Sequence, residues 1–358
     1  MKKELGLFSL LILLCIAVCG MELCIQMQHG ATLRQLQLPR FLSQANLVNT
    51  ANLIGLYGIF SIGLGLVIIT GGIDLSVGSM VALGGMLLVL ALTEWHWDWP
   101  LAAVFVLGVT MLLGLGHGVL ITRFKLQPFI VTLCGLLLYR GIARFIANDT
   151  TKGFGDAAGF KSLKFLAAGQ LFHHEPPAAN EVANTSNGIF GWSEGIPMPF
   201  VLLIVIAVIM WIVLHRSVYG RYLFAVGRNE EATRFSGINT RWVVAGAYVL
   251  AGLLTGVSAI LFAFYTNSVT PSTQGNSYEL NGIAAAVLGG CSLRGGEGSV
   301  IGILIGTTLL LVLQNLVNLL GIPSSLNYAV MGAVVLAGVL ADQIFQARSA
   351  KKTTRVAK

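Results

Sequence analysis

Residues 47–70 run without one charged side chain, and that stretch restricts the chain more than any other feature. At about 1.5 Å per residue, a helix of this length crosses a hydrocarbon layer about 30 Å thick. Further predominantly apolar runs lie at 5–25, 77–93, 100–121, 128–147, 197–215, 242–266, 298–320 and 327–346. Only 10% of the 358 residues are charged and 55% are hydrophobic; a soluble domain carries roughly 25% charge. The 43 glycines fit the same reading, because small residues let membrane helices approach closely. The predicted fold is an all-α integral membrane protein in which residues 1–358 form a single transmembrane domain.

The net charge of +7 does not indicate nucleic acid. The basic residues lie in short runs between apolar segments and at the two ends, as expected when positive charge is retained on the cytoplasmic side. Cys15, Cys19, Cys24, Cys134 and Cys291 lie in or beside apolar segments without metal-ligand spacing, so no metal is expected.

Residues 5–25 read as a retained first span, with a cleaved signal peptide as the competing reading. For the basic tail 347–358 to lie inside together with the Arg123 loop and the 216–241 loop, one more crossing is needed. The stretch 280–293 supplies it as a short, partly broken helix buried among neighbours. The count becomes about ten, with both termini cytoplasmic and 148–196 an external loop. Arg34 and Arg40 then fall outside, against the charge rule.

Three segments carry distinctive chemistry. In Thr70-Gly71-Gly72-Ile73-Asp74-Leu75-Ser76-Val77-Gly78 the two glycines break a helix. Asp74 is the only acid between Glu22 and Glu94, and an ionisable group at membrane depth needs a reason. Asp74 or Ser76 caps the next helix, or Asp74 belongs to broken backbone along a translocation path; the capping and pathway roles are compatible. In the second segment, Gly227 and Arg228 precede Asn229-Glu230-Glu231-Ala232, and Ser236-Gly237-Ile238 follow. Asn229 reads as an N-cap with acids in the first turn, and Gly237 ends a short amphipathic helix. Such a helix is either a solvated connector or an element that docks a partner. The third segment runs from Leu280 and Asn281 through Gly289, Gly290 and Ser292 to Gly296-Glu297-Gly298. Its Gly-Gly-x-x-Leu core echoes residues 71–75, which suggests an internal repeat. Asn46, Asn49 and Asn52, three apart, share one face of the second span; bonding across helices is preferred there over contact with solute.

Taken in this order, the segments at 71–78, 227–238 and 286–298 resemble those of ABC importer permeases for ribose, xylose, galactose and related solutes. The resemblance extends over roughly residues 45–345. It implies a homodimer of type II importer-like permeases in the bacterial inner membrane, working with a cytoplasmic ATPase and a periplasmic solute-binding protein. It also implies that Gly227, Asn229, Glu230, Glu231, Ala232, Ser236, Gly237 and Ile238 couple to the ATPase. Gly71, Gly72, Asp74, Ser76, Asn281, Gly289, Gly290 and Ser292 are expected near the path or gate.

The external loop departs from the pattern by an insertion around 170–193 that contains His173, His174 and Glu175; a flexible surface is expected there rather than a metal site. No Gly-Lys-Ser/Thr P-loop occurs, so ATP and Mg are expected on the partner and no cofactor on this chain. No signature of a hydrolase or a dehydrogenase appears either, and no enzyme activity is expected. The alternative is an ion-coupled secondary transporter with Asp74 as its coupling site.

Overall fold

The structure is a computed structural model that describes residues 2–28, 39–155, 160–172 and 195–321, with a few isolated positions beyond. Arg34, the insertion's His173–Pro177, the span expected at 327–346 and the basic tail lie outside the described residues.

Nine of the ten expected crossings are helices among the described residues. They are α1 (Lys2–Gln28), α2 (Gln44–Ile69), α3 (Val77–Thr93), α4 (Trp99–Arg123), α5 (Pro128–Ile146), α7 (Met198–Trp211), α10 (Thr240–Thr266), α11 (Tyr278–Leu288) and α12 (Val300–Leu319). A π-helical turn, Ile212–Arg216, prolongs α7. Seven of these segments are long and apolar enough to cross a membrane; α3 is apolar but shorter, and α11 is shorter still.

At the centre stands α2, with Leu56, Phe60, Ile62, Leu64 and Ile68 fully buried among α7, α10, α11 and α12. The tightest helix pair is α4 on α10, and glycine explains it. Gly114 and Gly118 face Tyr248 and Ala245, while Gly252 and Gly256 face Thr110. A side chain at any of the four would collide with the opposite helix, so each helix carries the small-xxx-small spacing that brings membrane backbones together.

Outward, the bundle is apolar. Leu112 of α4, Leu137 and Phe145 of α5 and Val208 of α7 are all more than half exposed. A water-facing surface of this kind would aggregate, whereas lipid accepts it. α1 packs loosely against α12, and Glu22 on its inner face accepts the Phe41 N–H at 3.0 Å.

Asn46 donates to the Phe41 carbonyl, and Asn315 of α12 donates to both Asn46 and Thr50 of α2. Asn49 is exposed and Asn52 is buried. The expected bonding across helices is therefore made by Asn46 alone among the three.

At one end of the bundle the segment after α5 adds small elements that sequence reasoning missed. They are β1 (Lys152–Gly153), α6 (Lys161–Ala168) and the pair β2 (Gln170–Leu171) with β3 (Ile196–Pro197). β1 pairs with β4 (Ser268–Val269), Phe154 stacks on Phe264 at 4.2 Å, and Lys152 meets Glu94 at 2.8 Å.

Candidate functional site at the helix breaks

Two helices end in the same backbone motif. After α2, Thr70 is the C-cap and Gly71 takes a left-handed φ of +82°. The Gly71 N–H returns to Ile68 and the Gly72 N–H to Val67, the paired bonds of a Schellman stop. After α11, Gly290 has φ +92°, its N–H returns to Val287, and the Cys291 N–H returns to Ala286. The sequence echo between the two Gly-Gly pairs is thus one device used twice, but out of register. The first glycine of the pair is left-handed at 71–72, and the second is at 289–290.

The opposite end of the bundle from β1 and α6 gathers the three sequence segments. α8 (Val218–Arg228) is a helix not anticipated in the loop, capped by Ser217 and burying Leu223 and Val226. Its last turn brings Gly227 against the Ile69 carbonyl and the Gly296 N–H so closely that a Cβ would overlap both. Gly296 in turn donates its N–H to the Ile69 carbonyl at 2.8 Å. A Cβ on Gly295 would lie 2.7 Å from the Gly227 carbonyl oxygen and 2.9 Å from the Gly71 nitrogen. Three stretches far apart in sequence therefore meet backbone to backbone.

From this junction α9 (Glu230–Phe235) projects as predicted. Asn229 accepts the Ala232 N–H at 2.9 Å, Glu230 and Glu231 fill the first turn, and Gly237 leaves the helix at φ +85°. Thr240 at the start of α10 donates to Glu230 at 3.1 Å, which fixes both ends of the loop. Glu231, Ala232 and Ser236 are exposed, Ile238 is half-buried against the core, and Phe235 is 80% exposed.

Between α2 and α3 the chain runs non-helically past Asp74, which is 3% exposed. Its carboxylate accepts the Ser76 N–H at 2.8 Å and the Ser76 hydroxyl at 2.6 Å, a side chain mimicking a turn. Capping is therefore divided. Asp74 holds the residue just before α3, and the Ser76 side chain turns back to Asp74 and caps nothing. Thr132 of α5 donates to the Ile73 carbonyl and anchors the break from the side. Ser292 plays the matching part after α11, where its carbonyl receives the Gly295 N–H and its hydroxyl the Arg294 N–H.

Asn281 is separate from these. It lies eight residues before Gly289, about 12 Å along the helix at 1.5 Å per residue. It lines a small cleft with Tyr57, Ser61, Thr307 and Gln314. Gly289 packs its backbone against Gly302 of α12. The structure thus joins Gly71 to Gly227, places Asp74 with Ser76 beside them, and leaves Asn281 in its own polar cleft.

A bundle of apolar-surfaced helices with broken segments meeting a projecting loop defines a multi-pass membrane protein of permease type. The family described as "Branched-chain amino acid transport system / permease component" matches residues 46–339, and the chain belongs to it. It is 36% identical over 306 residues to the ribose import permease protein RbsC of Bacillus subtilis (strain 168), covering 85% of this chain and 87% of that one. Ribose import permease protein RbsC of Escherichia coli (strain K12) is 36% identical over 307 residues, with the same coverage. The xylose transport system permease protein XylH of Escherichia coli (strain K12) is 32% identical over 344 residues, covering 86% of this chain and 87% of that one. No solved structure gives a significant match.

Proposed function

We propose that this chain is the membrane-spanning permease subunit of an ATP-driven importer for a ribose-like monosaccharide in the bacterial inner membrane. The reading rests on the backbone junction of Ile69, Gly227 and Gly296, which makes the projecting α9 mechanically continuous with both helix breaks. A connector needed only to join α7 to α10 gains nothing from such close contact. An element that receives force from outside the membrane does, because packed backbone transmits displacement with little slack.

In this account the α8–α9 end of the bundle faces the cytoplasm, where the basic residues of the 216–241 loop belong. Two permease copies assemble with two copies of a cytoplasmic ATPase. Exposed Glu231, Ala232 and Phe235 dock α9 into the ATPase, and ATP with Mg is held there and not on this chain. A periplasmic solute-binding protein delivers the sugar to the opposite face. Closure of the ATPases moves α9, the junction carries that motion to the ends of α2 and α11, and the breaks at 70–76 and 289–297 absorb it. The polar cleft around Asn281 offers hydroxyl-compatible partners to a sugar on its way. The names of the relatives favour ribose or xylose over other solutes, and membership of the permease family leaves an ion-coupled transporter unfavoured.

Affinity purification of the tagged chain from its native membrane tests the assignment. A stoichiometric P-loop ATPase is the expected companion. A chain that purifies alone and moves sugar in liposomes under an ion gradient, without ATP, would overturn the reading.

A further inference from the structure

Residues 270–277, Thr-Pro-Ser-Thr-Gln-Gly-Asn-Ser, contain no charge and no Leu, Ile, Val, Met or aromatic side chain, a composition suited to an external loop. The structure instead folds them back into the bundle alongside α3. Val269 of β4 lies over Gly85, and the Gly275 carbonyl presses on Gly78 in the first turn of α3, where a Cβ would overlap it. At about 1.5 Å per residue, Gly275 therefore sits about 22 Å along α3 from its Thr93 end, where Lys152 bonds Glu94. That is deep within a hydrocarbon layer about 30 Å thick.

Two anchors hold the turn at this depth. Arg140 of α5 donates to the Pro271 and Gln274 carbonyls, so a guanidinium serves backbone that no helix satisfies. Along α5, Arg140 lies about 12 Å past Thr132, whose hydroxyl holds Ile73 at the opposite break. On the other side the Tyr278 ring packs on Tyr57, Phe60 and Phe262, with centroids 4.9, 5.8 and 4.8 Å away. α11 thus begins inside the bundle, which accounts for its length of only 11 residues.

Between these anchors Ser272, Thr273 and Asn276 are exposed. Lipid cannot cover them, because irregular backbone at membrane depth is tolerated only when buried in protein or lining a water-filled cavity. The face that lipid does accept presents Leu112 and Val208, which have no polar group to satisfy. Dry contact with a second copy would strand two hydroxyls and an amide without partners. Water is the environment that suits them. The Gln274 Nε2 is itself buried without an acceptor, a deficit that a water or a solute oxygen at the turn would remove. The turn also leads directly to the Asn281 cleft, since the Asn281 N–H bonds the Ser277 carbonyl at 3.1 Å.

We propose that residues 270–277 form a re-entrant wall of the water-filled solute path, and that Ser272, Thr273 and Asn276 contact an uncharged, polyhydroxylated solute. Hydroxyl and amide groups both donate and accept hydrogen bonds, as sugar hydroxyls do. The turn offers no charge to a carboxylate or an ammonium group. Arg140 is a positioning residue that keeps the turn in place. That the solute is a sugar rests on the importer reading; that the turn faces water does not.

The test uses the full chain with its co-purified partners in lipid nanodiscs. S272C, T273C and N276C are each treated with a charged, membrane-impermeant methanethiosulfonate. V208C on the lipid face is the reference, and the five native cysteines of the unaltered chain set the background. Thiols at the turn are expected to react about tenfold or more faster than V208C, because a thiol in apolar surroundings is held un-ionised. Rates no faster than that of V208C at all three positions overturn the proposal. In proteoliposomes with ATP, Thr273→Val and Asn276→Leu should each lower ribose uptake about fivefold, the worth of one hydrogen bond, with the ATPase still bound. Unchanged ribose uptake in both would overturn the assigned solute contact. An unaltered assembly that moves neither ribose nor xylose with ATP would count against the importer reading, and the labelling would still decide whether the turn lines water.

Discussion

The Gly296 N–H donates to the Ile69 carbonyl at 2.8 Å, so the turn that follows α11 is fastened to the last residue of α2. Gly227 is wedged against the same carbonyl. One peptide group at the end of the central helix thus serves as the meeting point of both helix breaks and the loop that leaves the bundle. In the proposed account, this bond is the route by which a displacement of α9 reaches both breaks.

Loss of the α9 cap should weaken docking without harming the bundle. Asn229→Ala removes the acceptor for the Ala232 N–H, a change that costs a helix about 0.5–2 kcal/mol. The expected result is weaker retention of the ATPase during purification and reduced uptake, with unchanged thermal stability of the isolated permease. Size-exclusion chromatography and a melting curve on the same preparation check it.

Phe235 is 80% exposed in the projecting loop. Phe235→Asp should abolish ATPase association, because an aromatic anchor at an interface contributes about 2 kcal/mol or more. Insertion and stability of the permease should be unaffected. If Phe235→Asp still co-purifies normally with the ATPase, the docking role assigned to α9 fails.

Asp74 separates geometry from charge. Asn keeps an acceptor for the Ser76 N–H and hydroxyl, whereas Leu leaves the buried N–H unmet at about 1–3 kcal/mol and the hydroxyl only the Met80 sulfur. Asp74→Asn should therefore insert and remain folded, while Asp74→Leu should express poorly and lose uptake. Equal behaviour of the two variants would show that the carboxylate does not hold the break.

The Asn46–Asn315 bond ties α2 to α12. Polar bonds between membrane helices contribute about 0.6 kcal/mol on average and up to about 1.7. A double-mutant cycle on Asn46→Ala and Asn315→Ala, read from stability in mild detergent, should return a coupling energy in that range. A value indistinguishable from zero would assign the pair no structural role.

Much of this architecture was legible in the residues. Helix placement follows from apolar runs alone, because lipid requires every backbone polar group in a span to be satisfied within it. The start of α9 was visible as Asn229 followed by two acids, and its end as Gly237, because both signals are local. The short helix α11 was anticipated only by balancing charge across the membrane.

The junction itself was not legible. Gly71, Gly227 and Gly296 each look like an ordinary turn glycine, and only the packing of α2, α8 and α11 reveals that each faces another's backbone. α8 escaped notice because Arg221 and Arg228 made its segment look like solvated loop, whereas Leu223 and Val226 are buried.

The most direct test of the account is the coupling ratio of a Gly227→Ala assembly. The added methyl would press on the Ile69 carbonyl and the Gly296 N–H, disrupting the junction while leaving α9 outside it. In proteoliposomes containing the permease and its ATPase, sugar taken up per ATP hydrolysed should fall by roughly tenfold, equivalent to about 1.4 kcal/mol, with the ATPase still bound. An unchanged ratio of uptake to hydrolysis would contradict the claim that force reaches the helix breaks through this contact.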